Sequence, residues 1–364
     1  MKAMSQPTMS PFGLLLAGVM STMTVFMEVA RKKAVSNRPV FATTCCCHVF
    51  DSLVFALALA VKLSTGTVLV VRDGGSLFGI AGFALSALET YLVYQAINIA
   101  LLSVATFLFF RALQVSPMSL CIPFLAFTSV LLIPTGFLML GEMPPLAKLL
   151  AVILVVIGSL LMHRRLFALG WTAPARAILR ERGCRYMLMV TLIFAITSPL
   201  EKKLVLMTDI YTQALVYGLG MSVVFWILAL VKHEDFRVAL RNNVWWIATA
   251  GILDAVAMLL QFASYRYIDV VIAVSIKRAG IVLSVFFGWL FFRERGITDK
   301  LIAASVMFAG VLILYLPVTA WQAVLAAAVT LIFMQMALHW TRGQGIEPAS
   351  GVPEAKAAAG DVSR

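Results

Sequence analysis

Long apolar segments separated by short polar turns make up most of the chain between residues 11 and 316. Ten of them come close to the ~20 residues that an α-helix needs to cross the hydrocarbon core of a bilayer. The predicted helices are 11–30, 40–62, 95–114, 118–140, 146–162, 186–207, 210–231, 244–265, 270–292 and 298–316. This pattern predicts an all-α polytopic membrane protein with a ten-helix core. The composition agrees, because the chain is 62% hydrophobic and only 13% charged.

Two further apolar stretches lie outside this ten-helix core. Residues 318–340 predict one extra C-terminal helix, and residues 341–364, rich in Ala, Gly and charge, predict a disordered tail. Residues 76–93 are either an interfacial or re-entrant helix or an additional span.

Four small or charged residues of the first half recur in the second half at one constant offset. Gly136, Glu142, Lys148 and Gly158 correspond to Gly288, Glu294, Lys300 and Gly310, each 152 positions later (294 − 142 = 152). Nearer the start of each half, Lys32 and Lys33 correspond to Lys202 and Lys203 at an offset of 170 (202 − 32 = 170). The chain therefore contains an internal duplication.

The change of offset means that the first half carries 18 additional residues (170 − 152 = 18) between its second and third helices. The stretch 76–93 is about that long, so we interpret it as an insertion. Five helices per half would turn the second repeat upside down relative to the first, which is the inverted architecture of many carriers. If 76–93 crossed the membrane, the repeats would be parallel instead. We expect the inverted arrangement.

The same segments resemble the EamA-type transporters of the drug/metabolite transporter superfamily. The similar segments are 110–117 (FRALQVSP), Pro123 to Glu142 and the helix ending at Gly158, and then 276–278 (IKR), 288–294 (GWLFFRE) and Gly310. The resemblance covers nearly all of residues 11–316 and implies EamA-like repeats over 11–162 and 186–316. It also implies a secondary transporter, an exporter or permease, that moves a small metabolite by alternating access.

The positive charge of the chain indicates contact with the membrane rather than with nucleic acid. The net charge is +12, but many Lys and Arg residues lie in short loops, where they govern topology and contact anionic lipids. The segment 163–185 is either a basic amphipathic linker on lipid headgroups or a plain topogenic loop. The charge bias places this linker in the cytoplasm and the N-terminus outside, whereas the resemblance implies that both termini are inside.

Six charged residues lie within predicted spans or near their ends. They are Glu28, Asp51, Glu201, Asp254, Lys277 and Arg278. A charge at the membrane centre costs roughly 2.5–3.5 kcal/mol, so each needs a partner or a purpose. Either opposite charges neutralise one another, or they line a cavity in which a carboxylate binds a proton or cation and the basic pair binds a carboxylate or phosphate. We predict that Asp51 and Asp254, which lie near mid-span in opposite halves, meet at the repeat interface.

Glu142 and Glu294 are predicted to have a structural role. Both lie in helix-to-helix turns, where a carboxylate can cap the free N–H groups of the next helix. No metal centre is predicted, because the consecutive residues Cys45, Cys46 and Cys47 cannot converge on one ion from a helix and the histidines are scattered.

Transport of a small metabolite is therefore the leading functional hypothesis. The sequence contains no phosphate-binding loop of the Walker type, so an ion gradient or the substrate's own gradient would supply the energy. The alternatives are a membrane enzyme or flippase acting on a lipid-linked substrate, which would need a clustered catalytic set, and a structural membrane protein. We expect a bacterial inner-membrane protein, monomeric or homodimeric, whose partners are membrane lipids, the substrate and a coupling ion such as a proton. No cofactor, nucleic-acid partner or enzymatic activity is expected.

Overall fold

The structure is a computed structural model that describes residues 10–65, 71, 86–116, 121–161, 181–278 and 280. It also describes the short pieces 306–307, 309–310, 312–314, 316, 321–322, 324–325 and 328–330. These residues form helices joined by turns, with no strand among them, which confirms the predicted all-helical class. The tail 341–364, residues 163–180 of the predicted linker and Glu294 lie outside the described residues, as does most of 318–340.

Eight complete helices are numbered here in chain order. They are α1 Pro11–Val35, α2 Val40–Ser64, α3 Ala87–Val115, α4 Phe127–Leu140, α5 Leu146–Leu161, α6 Arg182–Met207, α7 Ile210–Val231 and α8 Val244–Ser264. A 3-10 helix, Ile122–Ala126, leads into α4, and a short helix, Phe236–Leu240, precedes α8. Residues 270–278 begin α9, and the helical residues between 306 and 314 belong to α10. Within the described part, α1, α2, α3, α6, α7 and α8 are long and apolar enough to cross a membrane.

Two helices begin earlier than the hydrophobic pattern predicts. Helix α3 begins at Ala87 instead of 95, because Ser86 and Glu89 form a capping box: the Ser86 hydroxyl accepts from the Glu89 N–H, and the Glu89 carboxylate accepts from the Ser86 N–H at 2.7 Å. Residues 87–93 of the predicted insertion 76–93 are therefore the first turns of α3, whereas 76–85 lie outside the described residues. Helix α6 begins at Arg182, which takes the end of the predicted linker 163–185 into the helix.

The most extensive helix contacts join one half of the chain to the other. Helix α1 packs most extensively against α8, and α3 against α6, while α2 packs along α7. The offsets make α1 equivalent to α6, α2 to α7 and α3 to α8, so the first two contacts are the same contact with the halves exchanged. Ser52 and Ser222 are equivalent residues, and their hydroxyls lie 3.3 Å apart between α2 and α7. This packing agrees with a two-fold relation between the halves.

Two glycines allow α2 to approach its neighbours closely. A Cβ at Gly251 of α8 would lie 2.7 Å from the Phe50 Cβ and would also clash with the Cys47 carbonyl oxygen. A Cβ at Gly218 of α7 would lie 2.8 Å from the Ser52 hydroxyl. Because both contacts flank Asp51, the two glycines bring that side chain close to α7 and α8.

Glu142 caps a helix of the opposite half. Its carboxylate accepts a hydrogen bond from the Val270 N–H at 2.9 Å, at the start of α9, and pairs with the Lys202 ammonium at 2.5 Å. Lys202 also donates to the Ile268 carbonyl at 2.8 Å. The prediction assigned this cap to the next helix along the chain, which is α5, and the structure corrects it to α9. The turn Gly141–Pro145 therefore joins the two halves.

The same turn region has an acidic neighbour that titrates near neutral pH. Burial raises the pKa of Asp269 to about 6, the nearby Glu142 carboxylate acts in the same direction, and Lys202 acts against them. One cation thus faces two carboxylates at this junction between α6, the α4–α5 turn and α9.

Lys148 makes a second contact of this kind. Its ammonium is buried and donates to the carbonyls of Ile313, Leu314 and Leu316 at 2.6–3.0 Å, where α10 ends. A cation at a helix C-terminus is favoured by the helix dipole and satisfies carbonyls that have no partner within the helix. A repeated lysine of the first half therefore caps a helix of the second half.

Candidate functional site

A cavity lies between the two halves, lined by α1, α3, α6, α8 and α9, with single residues from α7 and from the 3-10 helix. Sixteen lining residues form pairs at equivalent positions of the two halves. The pairs are Thr24 and Phe194, Met27 and Thr197, Glu28 and Ser198, Arg31 and Glu201, Leu102 and Asp254, Thr106 and Met258, Phe109 and Gln261, and Leu125 and Lys277. Tyr217, Ala257, Val274 and Arg278 complete the lining. The cavity therefore lies where equivalent surfaces of the two halves face each other.

The cavity contains three carboxylates and three cations. They are Glu28, Glu201 and Asp254, and Arg31, Lys277 and Arg278. Glu28, Glu201 and Arg278 are each no more than 5% exposed. Formal charges therefore cancel, which is the condition under which a buried polar cavity is least costly inside a membrane.

Arg31 and Asp254 form an ion pair between α1 and α8. The Arg31 Nη2 lies 2.7 Å from the Asp254 Oδ2, and the two side chains are 12% and 13% exposed. The guanidinium also lies over the ring of Phe110, 5.5 Å from its centroid, so an aromatic face stabilises part of its charge.

Gln261 links Lys277 to Glu201 across the cavity wall. The Lys277 ammonium donates to the Gln261 side-chain carbonyl at 2.6 Å, and the Gln261 amide donates to the Glu201 carboxylate at 3.1 Å. The same amide lies 2.7 Å from the Tyr265 hydroxyl. Lys277 and Glu201 are thus connected through a neutral side chain rather than by direct contact.

Several donors of the lining have no hydrogen-bond partner among the described residues. They are the Nε of Arg31, the Nε of Arg278 and the hydroxyl of Thr197. Arg278 also lies over the ring of Phe194, 5.7 Å from its centroid. A buried donor without a partner costs roughly 1–3 kcal/mol, so these atoms favour a ligand that brings acceptor oxygens.

Asp51 lies behind the cavity wall, next to Asp254. Its carboxylate pairs with the His48 Nδ1 at 2.6 Å, and both side chains are at most 1% exposed. One ligand-type atom from each of His48, Asp51 and Asp254 lies within 4.8 Å of the other two. The structure therefore brings Asp51 and Asp254 close together.

The other predicted residues also converge. Glu28, Glu201, Asp254, Lys277 and Arg278 all line the cavity. Each of the two mid-span aspartates also has a partner, His48 for Asp51 and Arg31 for Asp254, so charge neutralisation and a polar cavity occur together.

Sequence reasoning misses Arg31 and His48. Arg31 follows the predicted helix 11–30 and is not among the six predicted charges, whereas α1 continues to Val35 and carries Arg31 into the cavity. The offset of 170 equates Arg31 with Glu201, and this is the signal that could have identified it. His48 is treated as a scattered histidine, but it stands three residues before Asp51 on one helix face, and the structure corrects that interpretation.

Comparison with known proteins finds a family match in the second half of the chain. Residues 181–316 match the family described as "EamA-like transporter family", part of the drug/metabolite transporter superfamily, which confirms the resemblance. No curated protein sequence matches. Among 28 matching chains of solved structures, one titled "Crystal structure of protein" has a TM-score of 0.58 and 15% identity, covering 82% of this chain and 95% of its own. At this identity the likeness shows the fold alone.

Proposed function

We propose, because residues 181–316 belong to the EamA-like transporter family, that this integral membrane protein is a secondary transporter and that the cavity is its substrate site. The observation that carries the proposal is the paired lining, since a site between two related bundles is where alternating access exposes a substrate to each side in turn. We place the protein in the inner membrane of a bacterium, as an exporter or permease of a small metabolite.

Inverted repeats are the second part of the proposal. Two observations support them: the exchanged contacts α1 with α8 and α6 with α3, and the contact between the equivalent residues Ser52 and Ser222. Superposition of residues 11–162 on 186–316 in an experimental structure should require a rotation of about 180° around an axis in the membrane plane. A rotation around the membrane normal would contradict the proposal and would make 76–93 part of a span.

The substrate is proposed to carry a carboxylate or phosphate group. Arg278 and Lys277 occupy one wall of the cavity, and the unpartnered donors of Arg278 and Thr197 come from two helices of the second half, α9 and α6. A buried arginine with an unpartnered donor binds a carboxylate or phosphate by charge-assisted hydrogen bonds. The lysine is held by Gln261, which leaves Arg278 and Arg31, each with an unpartnered Nε, as the contacts for the acidic group.

Transport by proteoliposomes tests this function. Purified protein would be reconstituted and supplied with a panel of small radiolabelled carboxylates and phosphorylated metabolites. We expect the wild type to transport at least one of them and Arg278→Gln to lower that rate at least about tenfold, since a charge-assisted bond contributes roughly 1.5–3 kcal/mol. The matched control is Arg266→Gln, an exposed arginine of the same half, which should transport like the wild type. Unchanged transport by Arg278→Gln would contradict the assigned role of Arg278.

A further inference from the structure

A buried histidine and carboxylate behind the cavity form a cluster that substrate binding does not use. Residues His48, Asp51 and Asp254, here called the proton cluster, come from α2 and α8. Among them Asp254 lines the cavity, and His48 and Asp51 lie behind it, almost inaccessible. The His48 Nε2 has no hydrogen-bond partner among the described residues.

The surroundings of the cluster determine its charge. Arg31 pairs with Asp254, the Tyr217 ring meets the His48 imidazole edge-on at 6.1 Å between centroids, and Cys47 lies next to His48 in α2. Tyrosine and cysteine are ordinarily neutral at neutral pH, so Arg31 is the cation in direct contact with the cluster. Lys277 and Glu201 also interact electrostatically with Asp254, and their charges are of opposite sign. With one proton shared by His48 and Asp51, the group of four charged side chains is neutral. Without that proton it carries a net negative charge in a buried site, which is unfavourable.

We propose that this cluster binds the proton that drives transport and that Arg31 couples proton binding to substrate binding. The inference rests on the proposed transport function and adds the coupling ion, its site and its direction. Arg31 is suited to this role because it lines the cavity, holds Asp254 at 2.7 Å and still has an unpartnered Nε.

The coupling follows from competition for one guanidinium. When an acidic group in the cavity binds Arg31, Asp254 loses its counter-ion while Asp51 stays within 4.8 Å of it. Two adjacent carboxylates cannot both remain ionised at low cost, so an O–H bond forms on Asp254 with a proton taken from cavity water. When the acidic group leaves, Arg31 returns to Asp254 and this proton is released. Proton and acidic substrate therefore favour each other's binding and travel in the same direction, as reciprocal linkage requires.

The geometry favours a proton over a metal ion at this site. A divalent cation would have to displace Arg31 from Asp254 and the imidazole Nδ1 from Asp51, and both contacts are shorter than 2.8 Å. Histidine, in contrast, is the side chain that ordinarily changes charge between pH 5 and pH 8.

Infrared pH titration of the detergent-purified full chain tests the cluster without a substrate. We expect a buried carboxylic acid band that titrates in the wild type, disappears in Asp51→Asn, and shifts by about one pH unit in His48→Gln or Asp254→Asn, a tenfold change in proton affinity. His233→Asn, at an exposed histidine whose positive φ asparagine tolerates, is the matched control and should titrate like the wild type. Identical titrations in the wild type, His48→Gln and Asp51→Asn would overturn the proposal.

Proton movement with substrate tests the direction of coupling. Proteoliposomes containing a trapped pH dye would be given succinate or inorganic phosphate as probes. Acidification inside during uptake is the expected result, and alkalinisation would overturn the shared direction. If neither probe is transported while the infrared band behaves as expected, the choice of acidic substrate fails and the proton cluster stands. One equivalent of bound metal per chain, lost in His48→Gln, would replace the proton by a metal ion.

Discussion

The two halves of the cavity have equivalent positions and different chemistry. The second half contributes Asp254, Gln261 and Lys277, where the first half has Leu102, Phe109 and Leu125. At the pair Arg31 and Glu201 both halves carry a charge, but of opposite sign. The turns behave differently, because Glu142 and Lys148 recur unchanged in the second half. The residue types at Glu142 and Lys148, which contact the second half, recur in the sequence, whereas the residues that line the cavity differ between the halves.

This contrast shows how a duplicated membrane protein can acquire a specific site. A scaffold with the proposed two-fold arrangement would need the same caps in both halves, and the identical residues in the sequence agree with that expectation. A small substrate that lies between the halves has no such symmetry, and one wall can bind it while the other wall packs against it. Differences between equivalent residues therefore indicate function, and identities indicate structure.

The largest effect is expected from Asp254→Asn, which removes a carboxylate that the first half lacks at the equivalent position, Leu102. The proposed coupling predicts that accumulation against a gradient falls about 100-fold, near the upper range of coupling energies, while exchange of substrate across the membrane continues. Parallel accumulation and exchange measurements in proteoliposomes would separate the two activities.

The equivalent substitution in the first half provides the comparison. Leu102→Asn introduces the same side chain at the paired position, where no charge is lost, and gradient-driven accumulation should remain. Full accumulation by Asp254→Asn would remove Asp254 from the coupling mechanism. Loss of folding in that variant alone would show that Asp254 chiefly neutralises Arg31, since an unpaired buried charge costs roughly 3–5 kcal/mol.

A smaller effect is expected at the turn that joins the halves. Glu142→Gln keeps an oxygen for the Val270 N–H but removes the carboxylate that the buried Lys202 contacts directly and leaves it only the interaction with Asp269, which should destabilise the protein by about 3 kcal/mol. Thermal unfolding in detergent measures the change. The duplication predicts a loss of similar size for Glu294→Gln, because Lys32 is the equivalent of Lys202.

Two further variants make this second test specific. Combining Glu142→Gln with Lys202→Met should recover part of the loss, because the orphaned charge is removed. Glu89→Gln should change stability little, since glutamine also serves in a capping box at an exposed helix start. Equal losses of stability in Glu89→Gln and Glu142→Gln would contradict the claim that Glu142 stabilises the contact between the two halves.

A pH-dependent effect of about 1–2 kcal/mol is expected from Asp269, whose equivalent in the first half is Pro117. The folded pKa of Asp269 is about 6, above its ordinary value of 3.8, so the folded state binds the proton more tightly. This contribution is present below pH 4 and is lost as the pH rises through 6. Asp269→Asn should therefore stabilise the protein at pH 8 and leave it unchanged at pH 4. A stabilisation that is the same at both pH values would contradict the assigned titration.

The sequence predicts the helices and the charged lining well, for a physical reason. A bilayer requires long apolar helices and makes each charge inside them costly, so positions such as Asp254 and Lys277 are conspicuous without any structure. Helix ends are harder to predict, because the capping box at Ser86 extends α3 through residues that periodicity alone does not assign to it. For the same reason the predicted first helix ends before Arg31, so Arg31 is not predicted to lie in a span.

Contacts between distant segments are the part of the structure that could not be predicted from the sequence. The cap from Glu142 to Val270 spans the two halves, and nothing in local spacing distinguishes it from a cap on the next helix. The duplication narrows the choice, because exchanged contacts are expected wherever two repeats pack by a two-fold relation. His48 could have been identified without knowledge of distant contacts, since its spacing to Asp51 alone places both residues on one helix face.

The smallest predicted difference is between Ser52 and Ser222, which lie on the proposed two-fold axis. Their hydroxyls contact each other at 3.3 Å, so a perfectly symmetric site would give Ser52→Ala and Ser222→Ala the same cost. Ser52 also donates to the His48 carbonyl at 2.6 Å and lies 3.3 Å from the Asp51 carboxylate. We therefore expect Ser52→Ala to cost about 1 kcal/mol and to shift the infrared titration of the proton cluster, and Ser222→Ala to cost about half as much and leave the titration unchanged. Thermal unfolding of both variants in the same detergent, with the titration alongside, would measure the difference. Equal losses of stability and equal titrations in the two variants would mean that Ser52 does not influence the proton cluster. The two serines would then be equivalent, unlike the residues that line the cavity.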